Sequence, residues 1–406
     1  MEIIKLAWRN IWRNKRRTLI TASSIMFAII FGISMRSVQL GTYDRMIDSA
    51  VRQYSGFIQI QDTAYWKEKT IDDLMPDSLA LREKIAQIDG VVNVLPRLES
   101  FALISSGNKT KGAMLQGINP QLDNQMTQIA HKVVKGRFLT QDDDGLLVSQ
   151  ALAAYLNINV GDTIVLLSQG YHGVTAADVF PVRGIVKIPN PKLDRILLIA
   201  SLPKTQDFYG ATGMLTSMVV NIKERSLLHK VLPQVKKMVK GSELTALGWT
   251  EMNAELKQQI DADNGSGQIM LGILYIVVFF GILGTIIMMT AERRKEFGVM
   301  VALGMQKWYL SLIVFVETIF LAFVGVALGA LVSFGIVSYF YNSPIHIGGE
   351  MADIYEQFGI EPILAFSHDI TIFLNQFLIV FILLLIAVIY PLVKILTFNL
   401  IDALRA

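Results

Sequence analysis

The sequence predicts an α-helical membrane protein with four transmembrane helices and a large mixed α/β extracytoplasmic domain inserted between the first and second helix. Three observations lead to this fold class. Of the 406 residues, 52% are hydrophobic and only 17% are charged, whereas soluble domains are about one quarter charged. Four apolar stretches approach or exceed the roughly 20 residues that cross a bilayer as a helix. The range 41–267, between the first two stretches, has the composition of a soluble domain.

The predicted elements follow one another along the whole chain. They are a cytoplasmic amphipathic helix (1–17), span 1 (18–40), the extracytoplasmic domain (41–267), span 2 (268–290), a cytoplasmic loop (291–309), span 3 (310–341), a short extracytoplasmic loop (342–369), span 4 (370–396) and a cytoplasmic tail (397–406).

Basic residues beside the spans predict the orientation, because Lys and Arg are retained on the cytoplasmic side. They cluster before span 1 and between spans 2 and 3, whereas the 342–369 loop contains no Lys or Arg. We therefore expect both termini in the cytoplasm and the inserted domain outside, in a cell inner membrane. A cleaved signal peptide is the alternative for the first forty residues, but the sequence Ser34-Met35-Arg36 lacks a small-residue cleavage site.

The first 17 residues have basic side chains at helical spacing, with tryptophans between them. This pattern predicts a helix on the inner membrane surface, with tryptophan at the headgroups and arginine facing anionic lipid. A positive-inside signal that happens to be helical is the alternative. The residues assigned to this helix are Trp8, Arg9, Trp12, Arg13, Arg16 and Arg17.

The inserted domain shows alternating strand and helix patterns. Strands are predicted at 56–61, 91–105, 146–149, 163–167, 180–187, 196–200 and 218–222. Helices are predicted at 77–88, 150–156, 224–239 and 250–260. The sequence Gly265-Ser266-Gly267-Gln268 is interpreted as a flexible linker before span 2.

The search for catalytic motifs is negative. The chain contains no cysteine and no Gly-Lys dipeptide, which excludes a thiol nucleophile, a disulfide framework and a Walker A phosphate loop. Asp142-Asp143-Asp144-Gly145 lacks EF-hand spacing and is interpreted as a solvated turn. The five histidines have no metal-ligand spacing, and the net charge of +3 does not favour nucleic acid. We therefore predict no catalytic, cofactor or metal site.

The loop between spans 2 and 3 favours a helix that is charged at its start and apolar afterwards. We interpret it as a docking element for a cytoplasmic partner, with Phe297, Val299, Met300 and Leu303 on one apolar face. A short positive-inside turn on the membrane surface is the alternative. The full set of residues assigned to coupling is Glu292, Arg293, Arg294, Glu296, Phe297, Val299, Met300, Leu303 and Gly304.

Two further features lie inside the spans. Glu317 is an acid within span 3, where an ionised carboxylate is costly unless it is paired or hydrated. A functional role and a local hydrogen bond both explain it.

Small residues four apart in the spans permit close helix contact, within one subunit or between two. These are Ser24, Ala28, Gly32, Gly325 and Gly329.

The arrangement resembles the FtsX-like permease superfamily, the membrane subunits of MacB-type, LolC/LolE-type and FtsX-type ABC systems. The resemblance rests on the opening 6–10 and 13–18, the 292–304 segment, Glu317 with the glycines after it, Pro391 and the ending 401–405. In the inserted domain, Gly117-Ile118-Asn119-Pro120, Gly136-Arg137 and Val160-Gly161-Asp162 resemble turns of these domains.

The resemblance implies a transport subunit that is not itself an enzyme. ATP and Mg would be bound by a separate ABC ATPase in two copies, beside a second permease copy, identical or different. Length and layout are closest to the LolC/LolE type, which implies lipoprotein release. A MacB-like exporter of peptides, drugs or toxins and an FtsX-like regulator of a cell-wall hydrolase are the alternatives; MacB has a fused ATPase before its first span, a feature we do not find here. An envelope enzyme is a third class, which the negative motif search disfavours.

Overall fold

A computed structural model describes residues 6, 8, 9, 13, 15–357 and 361–397, with the backbone alone at 16, 17, 52, 53, 356 and 357. The chain forms two compact units. The membrane unit contains the described residues of Met1–Asp44, Ile260–His346 and Ile363–Ala406. The α/β unit contains those of Arg45–Gln259 and Ile347–Pro362.

The helices and strands have the following bounds. The helices are α1 Lys15–Ile47, α2 Thr63–Glu68, α3 Leu79–Ala86, α4 Pro120–Thr127, α5 Gln150–Leu156, α6 Pro191–Asp194, α7 Leu202–Tyr209, α8 Leu228–Val239, α9 Trp249–Met252, α10 Ala254–Glu292, α11 Arg294–Ala302, α12 Lys307–Asn342, α13 Glu350–Gln357 and α14 Ile370–Thr397. A π-helical segment, Asp48–Ser55, follows α1. The strands are β1 Ile58–Asp62, β2 Met75–Pro76, β3 Val91–Ser106, β4 Lys109–Ile118, β5 Val133–Gly136, β6 Leu146–Ser149, β7 Thr163–Gln169, β8 Thr175–Val186, β9 Leu197–Ser201, β10 Met214–Leu215, β11 Ser217–Ile222, β12 Leu244–Gly248, β13 Ile345–His346 and β14 Ile363–Leu364.

The predicted fold class is confirmed. Among the described residues, four helices are long and apolar enough to cross a membrane: Thr18–Val51, Ala254–Glu292, Lys307–Asn342 and Ile370–Thr397. The main part of the α/β unit, Arg45–Gln259, is inserted between the first and second of them, and Ile347–Pro362 joins it from between the third and fourth. Four side-by-side helices can satisfy all their backbone hydrogen bonds internally, which a bilayer requires.

The second membrane helix is much longer than the apolar pattern predicts. Helix α10 runs without a break for 39 residues, about 58 Å at 1.5 Å per residue. The linker interpretation of 265–268 is therefore wrong, because these residues are helical, and Gly267 lies directly against the Gln39 side chain of α1. The predicted helix at 250–260 is also wrong in its bounds, since Asn253 separates α9 from α10.

The core of the membrane unit is built from the inward sides of all four long helices. Branched aliphatic side chains alternate around it at helical spacing, as expected for one buried stripe on each helix. It includes Ile25, Ile29 and Ile33 of α1, Ile282 and Ile286 of α10, Ala322 and Val337 of α12, and Phe373, Val380, Leu384 and Ala387 of α14.

The α/β unit is organised around one large mixed sheet. Its strand order is β12-β1-β11-β3-β4-β9-β6-β8-β5, and β7 pairs with both β3 and β8. Strand β1 pairs antiparallel with β12, with Ile58 opposite Gly248, and also with β11, with Ile58 opposite Val220. The first and last strands of the domain therefore lie side by side.

Several predicted elements of this unit match the structure closely. Strand β6 and helix α5 have the predicted bounds, and β3 extends one residue further than expected. Helix α3 begins later than predicted because Ser78, whose hydroxyl accepts a hydrogen bond from the Leu81 amide, is the N-cap. Strand β4 was not predicted, although it pairs with β3 over its whole length.

Candidate functional site

The 291–309 loop is a short helix between two sharp breaks. Helix α10 ends at Glu292, and Arg293 leaves the helical conformation with φ −95° and ψ 6°. At the other end, the amides of Leu303, Gly304 and Met305 donate to the carbonyls of Val299, Val301 and Met300. Gly304 has a φ of +98°, a left-handed conformation that favours glycine after a helix. The loop is therefore a defined element and not a flexible connection.

Phe297 faces the interior of the membrane unit. It is 3% exposed and packs with Leu310, Val314 and Ile395. Consecutive helical residues are separated by 100°, so Val299 points away from Phe297. The prediction of one apolar face that includes Phe297, Val299, Met300 and Leu303 is wrong for this reason.

Two apolar side chains of the loop are exposed instead. Val299 is 46% exposed and Leu303 is 84% exposed. They are four residues apart, so they lie on the same side of α11. Met300 is half-buried beside the Phe297 cluster. Val299 and Leu303 are therefore the large apolar side chains exposed on the α11 part of the loop, and Trp308 at the start of α12 is 57% exposed. The charged residues Glu292, Arg294 and Glu296 are also exposed.

Glu317 is buried and paired with a residue of the loop. Its side chain is 4% exposed, and its Oε2 lies 2.7 Å from Nη1 of Arg293. The Arg293 guanidinium also lies 3.4 Å from Glu296 Oε2 and 5.2 Å from the centroid of the Phe297 ring. This chain of contacts connects α12 to the break between α10 and α11. Of the two explanations that the sequence allows for Glu317, the structure shows a local interaction, and this interaction is an ion pair.

Arg13 extends this network to the start of the chain. Its Nη2 donates to Glu296 Oε2 at 2.7 Å. Burial acts to raise the pKa of Glu296, but the hydrogen bond and the positive charge of Arg13, together with the charge of Arg293, lower it below its usual value. Glu296 therefore remains ionised and holds two arginines. We call Arg13, Glu296, Arg293 and Glu317 the ion-pair network.

The predicted membrane-surface helix is described only in part. Trp8 stacks edge to face on Phe320 of α12, with 5.7 Å between ring centroids, and Arg9 is exposed. Trp12 lies outside the described residues, as do the side chains of Arg16 and Arg17. Trp8 places the start of the chain against α12, the helix that carries Glu317, and Arg13 joins it to Glu296 of α11.

The small residues of the spans contact neighbouring helices of the same chain. A Cβ added to Gly325 would lie 2.7 Å from Ile25 Cβ, and one added to Gly329 would lie 2.8 Å from Ile29 Cβ. Gly32 faces Gln376 of α14 in the same way, and Ala28 is buried. The Ser24 hydroxyl donates to the Ile20 carbonyl at 3.0 Å. Packing within one subunit accounts for both glycines of α12.

The α/β unit has an apolar sheet face that the sequence analysis missed. Large side chains of three adjacent strands are between 47% and 65% exposed; they are Phe101, Leu103, Val165, Leu167 and Val179. Leu103 lies opposite Leu167, and Val165 opposite Val179. A shallow cavity of about 780 Å³ lies over this face. Strand β3 has apolar residues on both faces, so its sequence does not alternate between polar and apolar residues and does not indicate which face is exposed.

The acidic turn before β6 is solvated at Asp142 and Asp144, as interpreted, but not at Asp143. Asp143 is buried and accepts hydrogen bonds from Arg137 at 2.5 Å, from Arg183 at 3.0 Å and from the Gly145 amide at 3.2 Å. Asp144 also pairs with Arg183. Within the described residues, no group of three or more His, Asp or Glu side chains is placed to hold a metal ion. The carboxylates here have a structural role.

A second buried ion pair lies inside the α/β unit. The Arg97 guanidinium of β3 donates to both oxygens of Asp123 on α4 and to the Tyr54 carbonyl in the π-helical segment. The Tyr54 hydroxyl donates to Glu99 at 3.0 Å. Arg97 therefore joins the segment that continues α1 to the centre of the large sheet.

Comparison with known families gives two matches that together span most of the chain. Residues 18–238, more than half of it, match the MacB-like periplasmic core domain. Residues 268–400 match the FtsX-like permease C-terminal family.

Three similar proteins are permeases or contain a permease, and their sequence identity to this chain is low. The lipoprotein-releasing system transmembrane protein LolC of Xylella fastidiosa is 21% identical over 222 residues, 53% of this chain and 53% of that protein. The chain thus matches about half the length of this relative. An uncharacterized ABC transporter permease of Methanocaldococcus jannaschii is 23% identical over 82% of this chain and 84% of its own length. The macrolide export ATP-binding/permease protein MacB of Aggregatibacter actinomycetemcomitans is 21% identical over 82% of this chain and 52% of its own length.

Proposed function

Because the chain belongs to the FtsX/MacB/LolC family of ABC transporter permeases, we propose that it couples ATP hydrolysis by a separate ABC ATPase to movement of its extracytoplasmic α/β domain. The observation that carries this proposal is the ion-pair network. It fixes the 291–309 loop to α12 through Arg293 and Glu317 and to the start of the chain through Arg13. A force applied to α11 would therefore act on the membrane helices and would not be lost in a flexible loop.

The proposed contact with the ATPase is formed by Val299 and Leu303. Interfaces concentrate their energy in a few apolar residues that become buried on assembly, and these two are the large apolar side chains exposed between Arg293 and Gly304. Phe297 and Arg293 support the contact from beneath, and Gly304 ends the helix so that Leu303 projects outward. We propose two copies of the permease and two ATPase subunits, which would bind ATP and Mg.

Replacing Leu303 with Glu tests the coupling. We expect L303E to weaken the association with the ABC ATPase that co-purifies with the full-length chain, and to reduce stimulated ATP hydrolysis at least tenfold, because a hot-spot side chain contributes about 2 kcal/mol or more. Met351, on the 342–369 loop and 53% exposed, provides the matched control M351E. If L303E retains the ATPase and the ATPase hydrolyses ATP at the wild-type level, this loop is excluded as the coupling element.

Lipoprotein release is the substrate function that we propose. It is supported by the similarity to LolC, whose name refers to a lipoprotein-releasing system, and by the apolar sheet face. An exposed apolar patch in a water-facing domain is suited to bind an acyl chain or an apolar partner surface. The MacB relative supports the alternative, export with a periplasmic partner protein on the same face; an FtsX-like regulator would instead carry a cell-wall hydrolase.

The apolar sheet face offers a direct test of the substrate. Photo-crosslinking from position 103 in the full-length chain should capture a lipid-modified protein, and the crosslink should be lost when Val165→Lys and Leu167→Lys are added to the chain that carries the crosslinker at 103. Lys237, exposed on α8, gives the control position for the crosslinker. Capture of an unlipidated protein or a hydrolase would exclude lipoprotein release and support one of the alternatives.

A further inference from the structure

A cavity of about 340 Å³ opens in the membrane unit where α10 and α14 end and α11 begins. Its walls are apolar and include Ile287, Phe297, Pro391 and Ile395. Five polar side chains also line it, namely Thr290, Arg294, Tyr390, Lys394 and Thr397, and Arg294, Tyr390 and Lys394 are exposed. The cavity is therefore amphipathic, with cations at the mouth and hydrocarbon beneath.

The two cations of this cavity differ from their neighbours in having no counter-charge. Arg13 and Arg293 each contact a carboxylate. Within the ranges that the structure describes, the side chains of Arg294 and Lys394 have no ion pair or hydrogen bond, and no carboxylate lines the cavity. Two uncompensated positive charges at one opening create a site that favours an anion.

The position of the cavity selects the kind of anion. Lys394 lies in the last turn of α14, and Arg294 follows the end of α10 by two residues. Both are thus at the ends of membrane-crossing helices, where lipid headgroups lie. Basic pockets between membrane helices at this level are suited to anionic lipid headgroups. A soluble phosphate would leave the apolar walls without a partner.

We propose that this cavity binds the phosphate of an anionic glycerophospholipid, a role that goes beyond coupling to an ATPase. The Arg294 guanidinium can donate two parallel hydrogen bonds to the phosphate oxygens. The Lys394 ammonium supplies a second positive charge, and the Tyr390 hydroxyl donates a further hydrogen bond. The glycerol backbone and the start of an acyl chain lie against Phe297, Pro391 and Ile395. The lipid thereby joins α14 to the 291–309 loop.

Lipid titration of the detergent-purified full-length chain tests this site without any ATPase or substrate. Dioctanoyl phosphatidylglycerol is added, and bound lipid is counted by native mass spectrometry. We expect the double variant Arg294→Gln/Lys394→Gln to bind this lipid about 25-fold more weakly, because each of the two cations near a membrane surface contributes about a fivefold factor. The control is Lys295→Gln, an exposed cation of the same loop that does not line the cavity, and it should bind like the wild type.

Two further probes identify the source of the phosphate. Dioctanoyl phosphatidylcholine should bind weakly, because its headgroup carries no net charge, and glycerol 3-phosphate should bind weakly, because it has no acyl chains. Glycerol 3-phosphate binding as tight as the lipid would overturn the proposal in favour of a soluble phosphate. Equal affinity of the wild type and the double variant, or an equal loss in Lys295→Gln, would also overturn it. If the double variant does not fold, Arg294→Lys retains the charge and should bind several-fold more weakly.

Discussion

At the scale of single residues, each buried charged side chain that the structure describes pairs with a side chain of opposite charge. Glu317 and Asp143 illustrate this in the two units. Each is almost fully buried, with a side-chain exposure of 4% and 2% respectively. An isolated buried carboxylate is strongly unfavourable, and arginine supplies both charge and directed hydrogen bonds. The two carboxylates therefore fix the positions of arginine side chains, which is a structural role and not a catalytic one.

Removing one partner of the Arg293–Glu317 pair should be more harmful than removing both. We expect Glu317→Met to lower the stability of the detergent-solubilised chain by about 3 kcal/mol, since it leaves the largely buried Arg293 charge with only the Glu296 carboxylate, 3.4 Å away. Arg293→Met combined with Glu317→Met should recover much of this loss. Thermal unfolding of the two single variants and the double variant gives the coupling free energy. Strictly additive effects would show that the two side chains do not interact.

Asp143 should make the stability of the α/β unit sensitive to acid. Burial acts to raise the pKa of Asp143, but hydrogen bonds from Arg137, Gly145 and Arg183 outweigh it and hold the pKa below its usual value. This stabilisation is therefore fully present above about pH 4, the pKa in the unfolded chain, and is lost as the pH falls through the folded value.

The variant Asp143→Asn should accordingly be less stable than the wild type by about 1–3 kcal/mol at pH 7, and the difference should shrink below about pH 4. Asp142→Asn, at an exposed neighbouring position, serves as the control and should be neutral. Unfolding of the full-length chain followed at pH 7 and pH 3.5 measures both. A difference that is constant with pH would contradict a role for the ionised carboxylate.

At the scale of elements, glycine determines how closely α12 approaches α1. Gly325 and Gly329 face Ile25 and Ile29 with no room for a Cβ, and small residues at this spacing allow backbones to pack closely in membranes. We expect Gly325→Val to force the helices apart and to cost about 1–3 kcal/mol of stability. Gly335→Val, on the same helix with no atom within 4 Å of the added Cβ, should be near neutral. Equal melting temperatures of the two variants would contradict this contact.

The sequence predicts some elements better than others for physical reasons. The four spans are evident because twenty consecutive apolar residues rarely occur outside a membrane helix. Strand β6 is evident because it is a short run of Leu and Val that ends at Ser149. The continuity of α10 could not be predicted, because Gly265 and Gly267 favour a break locally and tertiary contacts with α1 override that preference. The orientation of Phe297 was accessible from helical periodicity alone. The Arg293–Glu317 pair was not, because the two residues are joined only by the fold.

At the scale of the whole molecule, the basic residues beside the spans predict which side each segment occupies. The chain has no cysteine, so a single introduced cysteine reports its own side. We expect a membrane-impermeant maleimide to label Ser106→Cys in intact cells and to label Lys295→Cys only after the inner side is opened, because retained Lys and Arg mark the cytoplasmic face. The reverse pattern would invert the proposed topology and place the 291–309 loop out of reach of any ATPase.

The pairing of β1 with β12 also has a consequence for how the protein is made. Strand β1 begins at residue 58 and its neighbour β12 at residue 244. Ribosomes add about 5–20 residues per second, so β1 leaves the translocation channel on the order of 10–40 s before the strand that covers one of its edges exists. Throughout this interval a strand with unpaired amides is present beside the membrane, where it can associate with other chains. Slower synthesis extends this exposed period, so the yield of folded protein should depend on extracytoplasmic chaperones more than on the stability of the finished domain.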